Sequence, residues 1–342
     1  MRLATALVTL ALAATPGLAQ IADRALCEPE TIVRDENLLP PELWEEVAER
    51  GAAIPNGTGR LWRITTGEGA VSHLWGTMHS PDPRISNPPP ILRDLIATAD
   101  TVMLEYIAAD ISQHQAEAQL APPDYSALTP NNLFDTMPAE AATGLAMRLR
   151  QLGYAEGHAT ALDPSFLLFV LLGHPCTDRL TMAGYPIQDT RIELLGADAG
   201  AALIALDPPD LLTSYAHDPQ WTEEFAATVT LFALWQLEQS GVATAYDYYL
   251  SGRIGEMLAF DTVHTASIFP NIDVAGLTLR SDGFILGHRN ENMAKRALPV
   301  LRRGNAVLAA GAFHLPGDSG LVEILRRHGF TVERVRVPGE AP

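Results

Sequence analysis

The chain has 342 residues, 47% of them hydrophobic and 19% charged, a balance that describes a globular protein with a packed core and excludes a disordered one. Acidic residues number 41 against 23 basic ones, for a formal charge of −18. A surface this acidic lacks the basic stripe that nucleic acid requires and is repelled by anionic lipid.

In chain order, Met1-Arg2 supplies a positive start, Leu3 to Ala14 an apolar run, and Thr15-Pro16-Gly17-Leu18-Ala19 a small-residue end. This pattern predicts a secretory signal peptide over residues 1–19, cleaved near Ala19. The apolar run is too short to span a bilayer comfortably, and Pro16-Gly17 interrupts it. The mature chain is therefore expected to be periplasmic or secreted, with no stable membrane insertion. In an oxidising compartment its two cysteines, Cys27 and Cys176, are candidates for one disulfide.

Leu61 to Thr65 and Val71 to Trp75 flank the turn residues Thr66-Gly67-Glu68-Gly69 and read as a β-hairpin. Pro88 to Thr98 has helical spacing, and Asp100 to Glu105 reads as a buried strand. Strand, helix, strand is a βαβ unit and implies a parallel pair. The middle of the chain, about 109–250, reads as mostly helical, with clear segments at Pro138–Leu152, Pro164–Leu172, Pro186–Leu195 and Trp221–Gln239. Ala201 to Leu206 is a short strand candidate among them. Phe284–Arg303 then reads as a helix, Asn305–Ala310 as a strand, Pro316–His328 as a helix and Thr331–Val337 as a strand. The expected architecture is α/β: one domain over 20–342, with a central mixed sheet built from both ends of the chain and a mostly helical insertion in the middle.

Two apolar runs end alike, in Gly76-Thr77-Met78-His79 and Gly311-Ala312-Phe313-His314. Glycine at a strand end tolerates positive φ and close approach. A histidine three residues on then lies outside the strand's carboxyl end, where open α/β sheets bind ligands. Glu105 ends a third apolar run, and a carboxylate at the edge of a core must be paired, protonated or metal-bound. Two imidazoles and a carboxylate suit a catalytic divalent metal. They equally form an acid–base set without one. Arg289-Asn290, near the start of a helix, adds a cation suited to a carboxylate or to developing negative charge. Gly317-Asp318-Ser319-Gly320 copies a protease nucleophile segment, but in the wrong context, and no Gly-x-Ser-x-Gly or His-Glu-x-x-His motif occurs.

Leu74-Trp75-Gly76-Thr77-Met78-His79-Ser80, with Pro81-Asp82-Pro83-Arg84, resembles the first motif of the TraB/GumN family, which includes the Tiki proteases. Gly311-Ala312-Phe313-His314-Leu315-Pro316-Gly317 and the segment to Val332 resemble its last motif, while Glu105 and Arg289-Asn290 match positions between. Ala205-Leu206-Asp207 and Tyr185 to Asp189 depart from the family pattern. The resemblance implies a fold similar to erythromycin esterase and ChaN-like proteins. It also implies a metal-dependent peptidase acting on a peptide or small-molecule substrate. On that likeness His79, Glu105 and His314 would be catalytic residues holding manganese, cobalt or zinc, with Arg289 accessory. Two other readings of the same pocket stay open: a periplasmic protein that binds haem or a peptide without turnover, and a metal-free, esterase-like hydrolase.

Overall fold

A computed structural model describes residues 28–107, 133–154, 158–173 and 175–342. The expected signal peptide over residues 1–19, and Cys27, lie outside these residues. Cys176 is buried, and no free cysteine occurs among the described residues. No described helix is long and apolar enough to cross a membrane.

Six strands form one mixed sheet: β1 Leu61–Thr65, β2 Val71–Thr77, β3 Thr101–Leu104, β4 Ala202–Ala205, β5 Ala306–Gly311 and β6 Thr331–Val335. Their order is β4-β3-β5-β2-β1-β6. The expected hairpin is present, with β1 antiparallel to β2 and to β6. The run β4-β3-β5-β2 is parallel throughout. β2 and β3 do share a direction, but they are not neighbours: β5 lies between them, pairing Thr77 with Gly311 on one side and Leu104 with Ala309 on the other. The central strands β3 and β5 are buried along almost their whole length, as strands covered on both faces must be.

Alternation along the strands sends side chains to two cores. Leu74, Leu308 and Ala310 pack with Met293, Ala297 and Leu301 of the Arg289–Leu301 helix and with Leu321 and Leu325 of the Leu321–Arg327 helix. Trp75, Val307 and Ala309 pack with Leu92 and Ile96 of the Pro90–Thr98 helix and with Ile192 of the Gln188–Asp198 helix. Helices thus cover both faces, and the fold is α/β with extensive helical segments between strands. Those segments carry a core of their own, built on Ala141, Leu145, Leu167, Leu171, Val229 and Ala233. β4 arises from the middle of the chain and completes the sheet's edge.

The helix expected from Phe284 is longer and irregular. Val274–Asp282 passes into a π-helical turn, Gly283–His288, and continues as Arg289–Leu301. Arg289 therefore does not sit at a free helix start. His288 before it already has helical angles. Single π turns inside helices are often found at functional sites.

Candidate functional site

The carboxyl ends of the four parallel strands point to one place. β2 leads to His79, β3 to Glu105, β4 to Asp207 and β5 to Gly311 and His314. The β3–β4 ladder continues one step past the strands, with the Asp207 amide donating to the Glu105 carbonyl (2.8 Å). This fixes the two acidic residues side by side.

The glycines of the twin motifs act through close approach rather than positive φ. Gly311 has φ −48°, and Gly76 is not among the positive-φ glycines. A Cβ on Gly76 would lie 3.0–3.2 Å from Leu315 and Ala312 atoms, where the second motif turns across the first. A Cβ on Gly311 would lie 3.1 Å from Glu105 Oε1, 3.4 Å from His314 Cδ2 and 3.7 Å from His79 Nε2. Three of the side chains expected at the site therefore converge on one glycine.

Arg289 ties the group together. Its Nη2 donates to Glu105 Oε2 (2.9 Å) and to Asp207 Oδ2 (2.6 Å), and its Nη1 is 3.5 Å from His314 Nε2. The Gly311 amide donates to the other Glu105 oxygen (2.5 Å). Burial pushes the Glu105 carboxyl up, but the charges of His314, when protonated, Arg289 and His79, with the Gly311 N–H, override it and hold Glu105 far below the usual carboxylate range. Asp207 moves the other way: burial raises it more than Arg289 lowers it.

The two imidazoles are set apart by their surroundings. His314 is buried, and burial brings it down to about 4, so it is neutral at ordinary pH. Asn290, fully buried, uses its amide nitrogen to donate to the carbonyls of His314 (3.3 Å) and Ser319 (2.8 Å). Its Oδ1 must then accept from His314 Nδ1–H (2.6 Å). The Nε2 lone pair is left facing Arg289 and Glu105, with Glu105 Oε1 3.7 Å away. His79 is exposed, and the Asp189 carboxylate, whose Oδ2 is 3.6 Å from Nδ1, raises it above its ordinary value. Asp189 begins the Gln188–Asp198 helix and is itself held by Thr77 Oγ1 (2.8 Å). Asp189 Oδ2 and Arg289 Nε are buried without a hydrogen-bond partner among the described residues. Buried polar atoms are almost always hydrogen-bonded, so these two stand out beside the converging strand ends.

The expectation of a metal centre is corrected. Among the described residues, no group of three or more His, Cys, Asp or Glu could hold a metal ion. The physical reason is Arg289, whose guanidinium lies against Glu105, Asp207 and His314 Nε2. A permanent cation already neutralises the carboxylates that a metal would need. His79, Glu105 and His314 meet as expected, but not as a ligand set for manganese, cobalt or zinc, and the metalloprotease reading falls with it.

Three residues went unrecognised as site members. Asp207 follows a short apolar strand just as Glu105 does, so the same strand-end signal marked it. Asp189 and the orienting role of Asn290 carried no such signal, because both depend on tertiary contacts. His217 pairs with Asp163 (2.9 Å), and the Gly317-Asp318-Ser319-Gly320 turn, set aside as a nucleophile from its context, supplies the backbone acceptor for Asn290.

No curated protein and no solved structure is a significant match to the chain. Residues 60–334 match the TraB/PrgY/gumN family, a span that begins just before β1 and ends within β6. With strand-end motifs, helix and closing strand all inside that span, the chain belongs to the TraB/PrgY/gumN family.

Proposed function

We propose that the chain is an exported, metal-free hydrolase of esterase type, with His314 as general base and His79 as general acid. The observation that carries this reading is Asn290, which commits the His314 Nδ1 proton and leaves a neutral Nε2 lone pair beside Arg289. In the proposed step, Nε2 takes a proton from water as its oxygen attacks the substrate carbonyl carbon. Arg289 and protonated His79 stabilise the oxyanion. Glu105 faces the imidazolium that forms at His314. The ester C–O bond then breaks, and the departing alkoxide takes a proton from His79. Opposite tuning of two titratable groups in one pocket is the usual sign of such a division of labour. The roles of His79, Glu105, Arg289 and His314 are parts of this proposal, as are cleavage near Ala19 and a Cys27–Cys176 disulfide in the exported chain.

The test is turnover of a panel of small acyl esters and peptides by the mature chain, with and without a chelator. Ester hydrolysis should persist in chelator and fall by about 10²–10⁴-fold in His314→Ala. Turnover abolished by chelator, or retained in full by His314→Ala, would sink the proposal. Ligand binding without turnover by any member of the panel would favour the pure binding reading.

A further inference from the structure

A cavity of about 380 Å³ is lined in part by Arg60, Arg84, Ile85, Gln188, Asp247 and Leu250. It does not include His79, Glu105, Arg289 or His314. Its volume falls within the range of small-molecule sites. Most charges on its wall are matched. Arg84 is paired with Asp82 (2.5 Å), and Asp247 with Arg253 (2.9 Å), which Glu256 also meets (3.4 Å).

Arg60 is different. It is 5% exposed, yet Glu340 meets its guanidinium only at Nε (2.9 Å). The same buried carboxylate is shared with Arg334 (3.3 Å). Two guanidiniums around one carboxylate leave a positive charge in excess at Glu340, whereas at Asp247 one guanidinium serves two carboxylates. Among the described residues the carboxylate contact of Arg60 is at Nε, and the Tyr249 hydroxyl also hydrogen-bonds the guanidinium. The group is also held rigid, with its carbon 4.8 Å from the Tyr249 ring centre and 5.2 Å from that of Trp75. A fixed guanidinium whose terminal nitrogens are not taken up by a carboxylate has the geometry to receive one. Ile85 and Leu250 give the same cavity apolar wall for a hydrocarbon body.

We propose that this cavity is a second ligand site, for a small amphipathic organic carboxylate anchored by Arg60. It borders the first site through two successive residues. Gln188 lines the cavity, where it accepts from Trp75 Nε1 (3.0 Å) and Tyr249 OH (2.7 Å), while Asp189 faces His79.

Calorimetric titration of the mature chain with octanoate tests this, with octanamide as the neutral counterpart. Octanoate should bind saturably at one site, and octanamide at least about tenfold more weakly. Arg60→Gln should weaken octanoate by a similar factor. Asn87→Trp, at an exposed position on the cavity wall, should block the site without disturbing the core and serves if Arg60→Gln fails to fold. His314→Ala should bind octanoate as the parent does. The proposal is overturned if octanoate does not bind, if the acid and amide bind alike, or if binding survives Asn87→Trp. Loss in His314→Ala would place the ligand in the other pocket and overturn it too.

Discussion

Replacing Arg289 by methionine keeps much of the side chain's bulk and removes its charge. Arg289 Nη2 holds Glu105 and Asp207 at 2.9 and 2.6 Å, with side-chain exposures of 7% and 9%. Without the cation, two buried carboxylates face each other across one atom's width. Removing one partner of a buried pair typically costs about 3–5 kcal/mol. Asp207 already sits above its ordinary value, so part of that penalty is relieved by protonation, and a loss of roughly 3 kcal/mol at pH 8 is expected. The pH dependence gives the sharper readout. In the parent chain the depressed Glu105 value contributes stability that is present above the unfolded carboxyl range and lost as pH falls through the folded value. In Arg289→Met at least one carboxyl is raised instead, so its penalty is absent at low pH and grows as pH rises. The difference between the two proteins in urea unfolding should therefore be largest at pH 8 and shrink towards pH 4.5. Adding Asp207→Asn to Arg289→Met should recover part of the loss at pH 8. A difference under about 1 kcal/mol at pH 8, or one that does not change with pH, would refute the view of Arg289 as the counterion of this site.

Gly311→Ala places a Cβ 3.1 Å from Glu105 Oε1, close enough to displace the carboxylate by a few tenths of an ångström. Any turnover assigned to the site should drop by about tenfold or more while far-ultraviolet dichroism is unchanged. Asp189→Asn removes the charge that raises His79, so an imidazole proton titration by NMR should show His79 moving down; an unchanged midpoint would contradict the assigned pair. Asp261 is pushed up to about 7 by burial and by Asp282, so its folded value lies above its unfolded one. Its ionisation destabilises the chain progressively as pH rises from about 4 to 7. Asp261→Asn should thus gain at least roughly 1 kcal/mol at pH 8 and little at pH 4; equal effects at both would contradict the burial argument.

Much of the site was legible because strand ends are legible. His79, Glu105 and His314 each follow an apolar run, and parallel sheets gather such ends at one edge. What an alphabet of residue types leaves open is which cation the carboxylate meets. Glu105 with two histidines fits a metal as well as it fits an arginine, and only the approach of Arg289 decides between them. Asp189 lay in a segment that looked irregular beside the family pattern, yet it is the partner of His79. The helices of the middle segment were also recognisable from spacing. The insertion of β5 between β2 and β3 was not, since strand order follows from packing of both cores rather than from any local pattern.

The central place of β5 has a consequence for the timing of folding. Until residues 306–311 exist, the described strands form only two separate pairs, β1 with β2 and β3 with β4. Isolated two-stranded pieces are marginal in water. Closing the sheet also means joining segments some two hundred residues apart, a slow, non-local step. The sheet therefore cannot close until this late segment is present, and the four parallel strand ends are gathered only with it.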